Sequence, residues 1–415
     1  MNKIILLSVL SASILLASDD IQEMKMQLKQ QSDMIQALTK RLEQLEQQKS
    51  PYSEGNQELG FNSSMVQENP AQNASFSQNA YLPDIALIIN SSAVGRNIDN
   101  RDYSSYETPG FIDSDPNKEI PFNPDKGFNL NYAEVAMYSA VDPYFDAFAI
   151  FHMTSTQFEI DEAYVSTRDL PNGLKVKAGK FKSAFGRYNE KHQHAWEFSE
   201  QPLIYAGFFG PEGLSDPGVQ VQWVAPTDTY LMFGIEAMQG TNEQSFGYDK
   251  GNNLYNTYVK ASIDATDETS ILMGASYIHG KNMQGNTDLY AADLTVQTQL
   301  DSYSSITWQS EYIYRNKEQD IRTGHQDGMY SQLVYKYDQN YAGGFRYDTL
   351  MKNNLGDNNL DMYTAMFEYK PFEFSRLRLE YSYDKSKYYG GKQKDVQQLM
   401  LELNIAVGAH GAHSY

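Results

Sequence analysis

From residue 84 onward the apolar residues recur at every second position, the period of a strand with one apolar and one polar face. In the last such run Leu399, Leu401, Leu403, Ile405 and Val407 alternate with Gln398, Met400, Glu402, Asn404 and Ala406. The run before it sets Leu377, Leu379, Tyr381 and Tyr383 against Arg376, Arg378, Glu380, Ser382 and Asp384. Strands of soluble sheets average about five or six residues, whereas these runs reach about ten, the length that crosses a bilayer when tilted. Turn residues divide 84–415 into about sixteen runs, the first over 84–95 and the last over 394–408. Links at one end are tight, such as 141–143, 301–302 and 371–372. Those at the other are long, namely 96–127, 184–215, 240–253, 317–326 and 387–393, with an exception near Ser155. This alternation predicts an all-β fold, a transmembrane antiparallel β-barrel of about sixteen strands with an aqueous interior. Trp308, Tyr312, Tyr314, Tyr335 and Tyr337 are expected in its interfacial girdles. Glu134 and Asp161 interrupt otherwise apolar faces, which calls for a bulge or a subunit contact.

The first residues have a different pattern. Lys3, an apolar stretch from Ile4 to Leu16 and the small pair Ala17 and Ser18 predict a secretory signal peptide over 1–17. Over 18–50 the apolar positions fall on a heptad grid, with Ile21, Leu28, Ile35 and Leu42 at one position and Met24, Gln31, Leu38 and Leu45 three residues on. That spacing predicts an α-helical coiled coil with one polar break at Gln31. Pro51 ends it, and the Asn, Gln and Ser of 51–83 contain too little apolar matter to fold, so this stretch is expected to be a disordered spacer. An even strand number puts both barrel ends, and hence the coiled coil, in the periplasm.

Composition removes several functions. With no cysteine among 415 residues, disulfide scaffolds, thiolate metal sites and cysteine nucleophiles are excluded. A net charge of −20 without a basic cluster argues against nucleic acid as a partner. No nucleophile elbow or phosphate loop is present, so no enzyme activity and no cofactor are expected. His192 and His194 beside Trp196 are weak metal candidates, because no carboxylate spacing completes a ligand set.

Residues 162–187, EAYVSTRDLPNGLKVKAGKFKSAFGR, resemble the phosphate-selective porin O and P superfamily at Ala163, Tyr164, Val165, Gly173, Leu174, Lys175, Val176, Gly179, Phe181, Lys182 and Phe185. Looser similarity through YAEVAMYSAVDPYFDAFAIF, HQHAWEF and GAHGAH is shared with a porin-like branch sometimes labelled TonB-dependent receptors. Receptors of that kind need about 22 strands around a plug, which this chain does not match. The resemblance implies a homotrimer of sixteen-stranded barrels and a constriction loop between the fifth and sixth strands. Constriction charges are then expected at Lys180, Lys182, Arg187, Glu190, Lys191 and Glu197. Lumen candidates are Arg315, Arg346, Arg376, Arg378, Glu380 and Glu402; together with Lys336, Lys370, Asp293, Glu311, Asp348, Glu368 and Asp384 they suggest a mixed or mildly cation-friendly channel. The expectation is an outer-membrane porin for passive diffusion of small hydrophilic solutes or ions. Its partners would be outer-membrane lipid, the barrel assembly machinery and, through the coiled coil, the cell wall. The rival expectation is a structural tether whose barrel is only an anchor.

Overall fold

The computed structural model describes residues 83–112, 125–154, 157–247, 254–282, 285–319, 322–351 and 359–408. The expected signal peptide, the coiled coil and the spacer as far as residue 82 lie outside them. The described residues form sixteen strands. The first eight are β1 (Asp84–Arg96), β2 (Gly127–Ala140), β3 (Phe145–Met153), β4 (Phe158–Thr167), β5 (Leu174–Lys182), β6 (Ser215–Val224), β7 (Tyr230–Met238) and β8 (Leu254–Asp264). The rest are β9 (Thr269–Asn282), β10 (Gly285–Gln299), β11 (Ser305–Gln319), β12 (Arg322–Lys336), β13 (Tyr341–Leu350), β14 (Leu360–Phe372), β15 (Ser375–Tyr389) and β16 (Lys392–Gly408). Each pairs antiparallel with its sequence neighbours, and β1 pairs with β16 to close the barrel, so no edge is left unpaired. In β16 the leucines at 399, 401 and 403 are exposed on the outside, while Gln398, Met400 and Glu402 are buried within. Trp308, Tyr312, Tyr335 and Tyr337 are likewise exposed.

Among the described residues, two of the links expected to be long are largely strand. β11 and β12 stay paired as far as Gln319 and Arg322, and β15 and β16 as far as Tyr389 and Lys392. Gly390 and Gly391, with φ of 57° and 73°, supply the left-handed pair that a two-residue hairpin turn requires. The polar composition of 317–326 and 387–393 suggests loops, but ladder hydrogen bonds form equally well with polar side chains on both faces once a strand leaves the apolar layer.

The two acidic interruptions have one cause. In β2 the register with β1 slips at Asn131, so that Leu130 faces out but Tyr132 and Glu134 face in. In β4 the register with β3 slips at Asp161, which brings Asp161 and Glu162 together inside. A bulge adds one residue to one strand and inverts its side-chain parity from that point on.

Three connections at the long-link end turn back into the barrel. They carry the short helices α1 (Asn100–Ser104), α2 (Leu203–Phe209) and α3 (Glu243–Phe246). Phe111 from the first packs edge-on against Phe208 of α2 at 5.4 Å. Asn242, which caps α3 by accepting from the Ser245 N–H at 3.1 Å, also donates to the Phe209 carbonyl at 2.7 Å. Leu203, Ile204, Tyr205, Phe208 and Phe209 meet inward-facing Leu254, Ile278, Leu289, Ile313, Tyr330 and Leu350 in an apolar core inside the barrel.

Candidate functional site

The site begins where β5 leaves the wall. The β4–β5 ladder ends at the pair Ala163 and Lys180, two residues before the strand itself does. The Lys182 N–H instead donates to the Glu162 carboxylate at 2.6 Å, and residues 183–214 cross the lumen before β6 starts. The motif that carries the porin O and P resemblance is thus a launching device. Phe181 and Phe185 enter the internal core, and Gly179, at φ 138°, sits where a Cβ would fall 2.2 Å from the Ala163 carbonyl oxygen.

Irregular backbone inside a barrel needs a partner for every N–H and C=O it brings there. The inner wall supplies them. Glu236 accepts from the Ala184 N–H at 2.9 Å, Glu311 from Arg187 at 2.9 Å, Glu380 from Ser199 at 2.8 Å and Asp348 from Leu203 at 3.0 Å. Arginines take the carbonyls. Arg376 donates to His194 O at 2.9 Å, Arg378 to Trp196 O at 2.8 Å and Arg346 to Glu200 O at 2.8 Å. The same arginines pair with wall carboxylates, Arg346 with Asp348 at 2.8 Å, Arg378 with Glu368 at 2.8 Å and Arg376 with Glu402 at 2.9 Å. Arg315 performs the corresponding task for α3, donating to Ser245 Oγ at 3.0 Å. The acidic and basic wall residues therefore hold the inserted segment as hydrogen-bond acceptors and donors.

A second group forms where the two bulges aim their carboxylates. His192 lies between Glu162 (Nε2 to Oε2, 2.8 Å) and Asp161 (Nδ1 to Oδ2, 3.2 Å), and Asp161 also pairs with Lys182 at 3.2 Å. Glu134 reaches His152 at 2.8 Å and His194 at 3.3 Å, and the His192 and His194 rings stack 5.9 Å apart. Burial alone would lower the pKa of His192, but hydrogen bonds to Asp161 and Glu162 outweigh it and raise the value to about 10. The ring is therefore a cationic tether. Among the described residues no group of three or more His, Asp or Glu side chains is arranged to hold a metal ion.

The expected constriction residues separate into three groups. Lys180 has the outer-wall parity of Leu174 and Val176, and its Nζ donates to the Ile160 carbonyl beside the β4 bulge at 2.6 Å, so it is not on the lumen side. Lys182 is buried in the His192 group. Arg187, Glu190, Lys191 and Glu197 lie on the inserted segment and keep part of their surface exposed. Burial tends to raise the pKa of Glu190, but Lys260, its ion-pair partner, together with Lys177 and Arg187, holds it below the usual carboxylate value. Glu197 is held low by Lys191 and Lys336 against the same tendency. The lumen candidates Arg315, Arg346, Arg378, Glu380 and Glu402 are buried and Arg376 nearly so, each engaged by the inserted segments or by one another. Sequence reasoning missed Glu236 and Glu311 as anchors. Apolar residues on inward parity at one end of adjacent strands, such as Leu254, Ile278, Leu289 and Ile313, carry the signal that something apolar covers them.

No family model matches the chain. An uncharacterized protein of Aquifex aeolicus (strain VF5) is 38% identical over 383 residues, which cover 82% of this chain and 81% of that protein. Among solved structures, the outer membrane channel DcaP of Acinetobacter baumannii matches with a TM-score of 0.54 at 13% identity, over 80% of this chain and 99% of that one. An anion-selective porin from Comamonas acidovorans matches with a TM-score of 0.54 at 11% identity, over 78% of this chain and 99% of that one. At these identities the shared property is the fold, a sixteen-stranded barrel of the outer-membrane porin kind.

Proposed function

The chain belongs to one family with the Aquifex aeolicus protein, and from that premise and the porin-like barrel we propose an outer-membrane channel for passive diffusion of small hydrophilic solutes and ions. One observation carries the proposal. A segment anchored mainly on the inner wall crosses the lumen and leaves Arg187, Glu190, Lys191 and Glu197 in contact with solvent. Selectivity then follows from charges at the narrowed passage. On and around the segment the side chains that keep exposed surface are Arg187, Lys191, Lys177 and Lys336 against Glu190, Glu197, Glu200 and Glu212, four basic against four acidic. The passage is accordingly near charge balance, without the mild cation preference that a count of all wall charges suggests. Of the acids in that count, Glu311, Asp348, Glu368, Glu380 and Glu402 are occupied by backbone N–H groups or arginines.

The porin O and P resemblance supports placing the chain near that superfamily, and the expected homotrimer belongs to the same reading. On the outer face of β2 to β5, Ala133, Ala147, Ala149, Ala163 and Ala178 stand at parities where β14 to β16 carry Leu, Tyr and Phe, and small side chains permit close approach of a second copy. The test is single-channel recording of the full-length protein in planar bilayers under a KCl gradient. Discrete steps are expected, with a reversal potential near zero that takes cation sign in Arg187→Glu, Lys191→Glu. Folded, heat-modifiable barrel that never conducts would refute the channel and favour the anchor reading.

A further inference from the structure

The interior of a transmembrane barrel is ordinarily polar, its aromatic residues facing lipid. Beside the apolar core, a further row of the inner wall departs from this. Tyr138 on β2 is the register partner of Phe148 on β3, and Phe148 that of Tyr164 on β4, on the inward parity of Glu134 and His152. Ring centroids are 4.9 Å apart at both steps. The row ends on β5 at Gly179, the partner of Tyr164, where an added Cβ would fall 2.8 Å from the Tyr164 Cβ. Tyr164 touches the internal core, but Tyr138 and Phe148 do not belong to it and stay half-exposed. Burial in the apolar core therefore accounts for one ring of the three.

A polar row runs beside it, one register step nearer the short turns. Asp146 accepts from the Tyr138 hydroxyl at 3.0 Å and pairs with Arg168 at 3.2 Å. Lys177 holds its ammonium 4.7 Å from the centre of the Tyr164 ring. Partly exposed ring faces beside a carboxylate, a hydroxyl and an ammonium form a mixed surface. The faces carry partial negative charge and accept weakly positive C–H groups, while the polar atoms accept from and donate to hydroxyls. A purely apolar solute would strip water from Asp146 and Lys177 and replace none of its hydrogen bonds. A small inorganic anion would make no use of the rings. A hydroxylated saturated ring uses both rows.

We propose that the row Tyr138, Phe148 and Tyr164 is a subsite for a neutral sugar, a pyranose stacking on the rings while its hydroxyls bond to Asp146 and Lys177. It rests on the channel reading, since a solute reaches this wall through the lumen that the inserted segment narrows. Lys177 also acts on Glu190, which ties the row to the charged passage.

The test is current block of the full-length protein in planar bilayers by maltotriose, with sorbitol and benzoate as comparison solutes. Saturable block by maltotriose and none by sorbitol, an open chain with similar hydroxyls, is expected. Phe148→Leu, which keeps an apolar side chain and removes the ring face, should weaken the block about tenfold, the size of one ring contact. Retained heat-modifiability of the variant shows that it is folded. Equal block by sorbitol, stronger block by benzoate, or unchanged block in Phe148→Leu would each overturn the proposal. If the folded protein passes no current, the channel reading fails and the subsite is tested separately by calorimetry of maltotriose with the detergent-solubilised chain. Binding heat that disappears in Phe148→Leu then supports the subsite, and absence of heat in the native protein overturns it.

Discussion

Replacing Glu311 by Gln changes one atom of a fully buried side chain and removes the most heavily used anchor of the inserted segment. Glu311 Oε2 accepts from the Arg187 N–H at 2.9 Å and the Tyr205 hydroxyl at 2.7 Å, and Oε1 accepts from the Tyr330 hydroxyl at 2.5 Å and Gln309 Nε2 at 3.2 Å. Four donors converge on two oxygens. An amide offers one oxygen and an NH2, so whichever way it turns, two of the four donors face another donor. A hydrogen bond to a charged acceptor is worth roughly 1.5–3 kcal/mol, and the loss of two, partly recovered by rotation of a tyrosine hydroxyl, weakens docking by about 3 kcal/mol. At 1.4 kcal/mol per decade this raises the undocked fraction about 100-fold. Amide hydrogen exchange of the folded protein reads that ratio directly. Exchange across 184–190 should quicken by about two orders of magnitude while the β14–β16 ladders keep their protection, and single-channel current should become noisier. Tyr205→Phe, which loses one bond to the same carboxylate, is the calibration at about 2 kcal/mol. Unchanged exchange in the segment, or an equal rise across all strands, would refute the account of wall acids as anchors.

Three further outcomes follow from the same geometry. Because the pKa of His192 rises on folding from about 6.5 to about 10, its tether is complete below about pH 6.5 and is lost as pH climbs through about 10. The groups facing it are Asp161, Glu162, Glu134, Lys182 and His194, so segment protection should fall over that alkaline window in the native protein and stay flat in His192→Gln. A common curve for the two would show that the tether does not operate. Leu401→Arg, in the middle of the lipid-facing row of β16, should cost about 2–4 kcal/mol and Val407→Arg near the strand end about 1 kcal/mol or less, measured by denaturant titration in vesicles; equal costs would remove the assignment of that face to lipid. Gly179→Ala forces a Cβ against the Ala163 carbonyl at a positive φ and should cost at least about 2 kcal/mol in the same titration, whereas native stability would show that the β4–β5 junction yields.

Strand number, closure and outward faces were legible because one physical constraint governs them all. Every second residue of a lipid-crossing strand must be apolar, and the leucines of β16 or the tyrosines of β14 display it without interference. Legibility failed where another constraint replaced that one. Lys317 to Gln319 pair with Arg322 to Gly324 as strand although their composition suggests a loop, because backbone bonding continues beyond the apolar layer. Glu134 and Asp161 look misplaced until a one-residue bulge is allowed for, and a bulge leaves no compositional mark. The charged residues at 311, 346, 378 and 402 were legible as inward but not in their role. Whether an inward acid meets water or a backbone N–H depends on where a distant segment folds, and periodicity carries no information about that. The half-exposed charges Arg187, Glu190, Lys191 and Glu197 were reachable because they share one long connection.

The anchors of the inserted segment also dictate an order of events during assembly. Arg187 waits for an acceptor 124 residues downstream, Leu203 for one 145 residues on, and Ser199 for one 181 residues on. None of these acceptors exists on the wall until β11, β13 and β15 have paired, so when β5 and β6 join, the segment between them has only the His192 and His194 contacts to β4 and β2 to hold it. Contacts this remote in sequence form late, because the chain between them must first be ordered. The passage is therefore the last part of the molecule to acquire its shape, and the barrel forms as an open ring before it becomes a narrowed one. A chain arrested before its final strands would carry residues 183–214 with their aromatic side chains uncovered, and that intermediate is the form of this protein most exposed to aggregation and proteolysis.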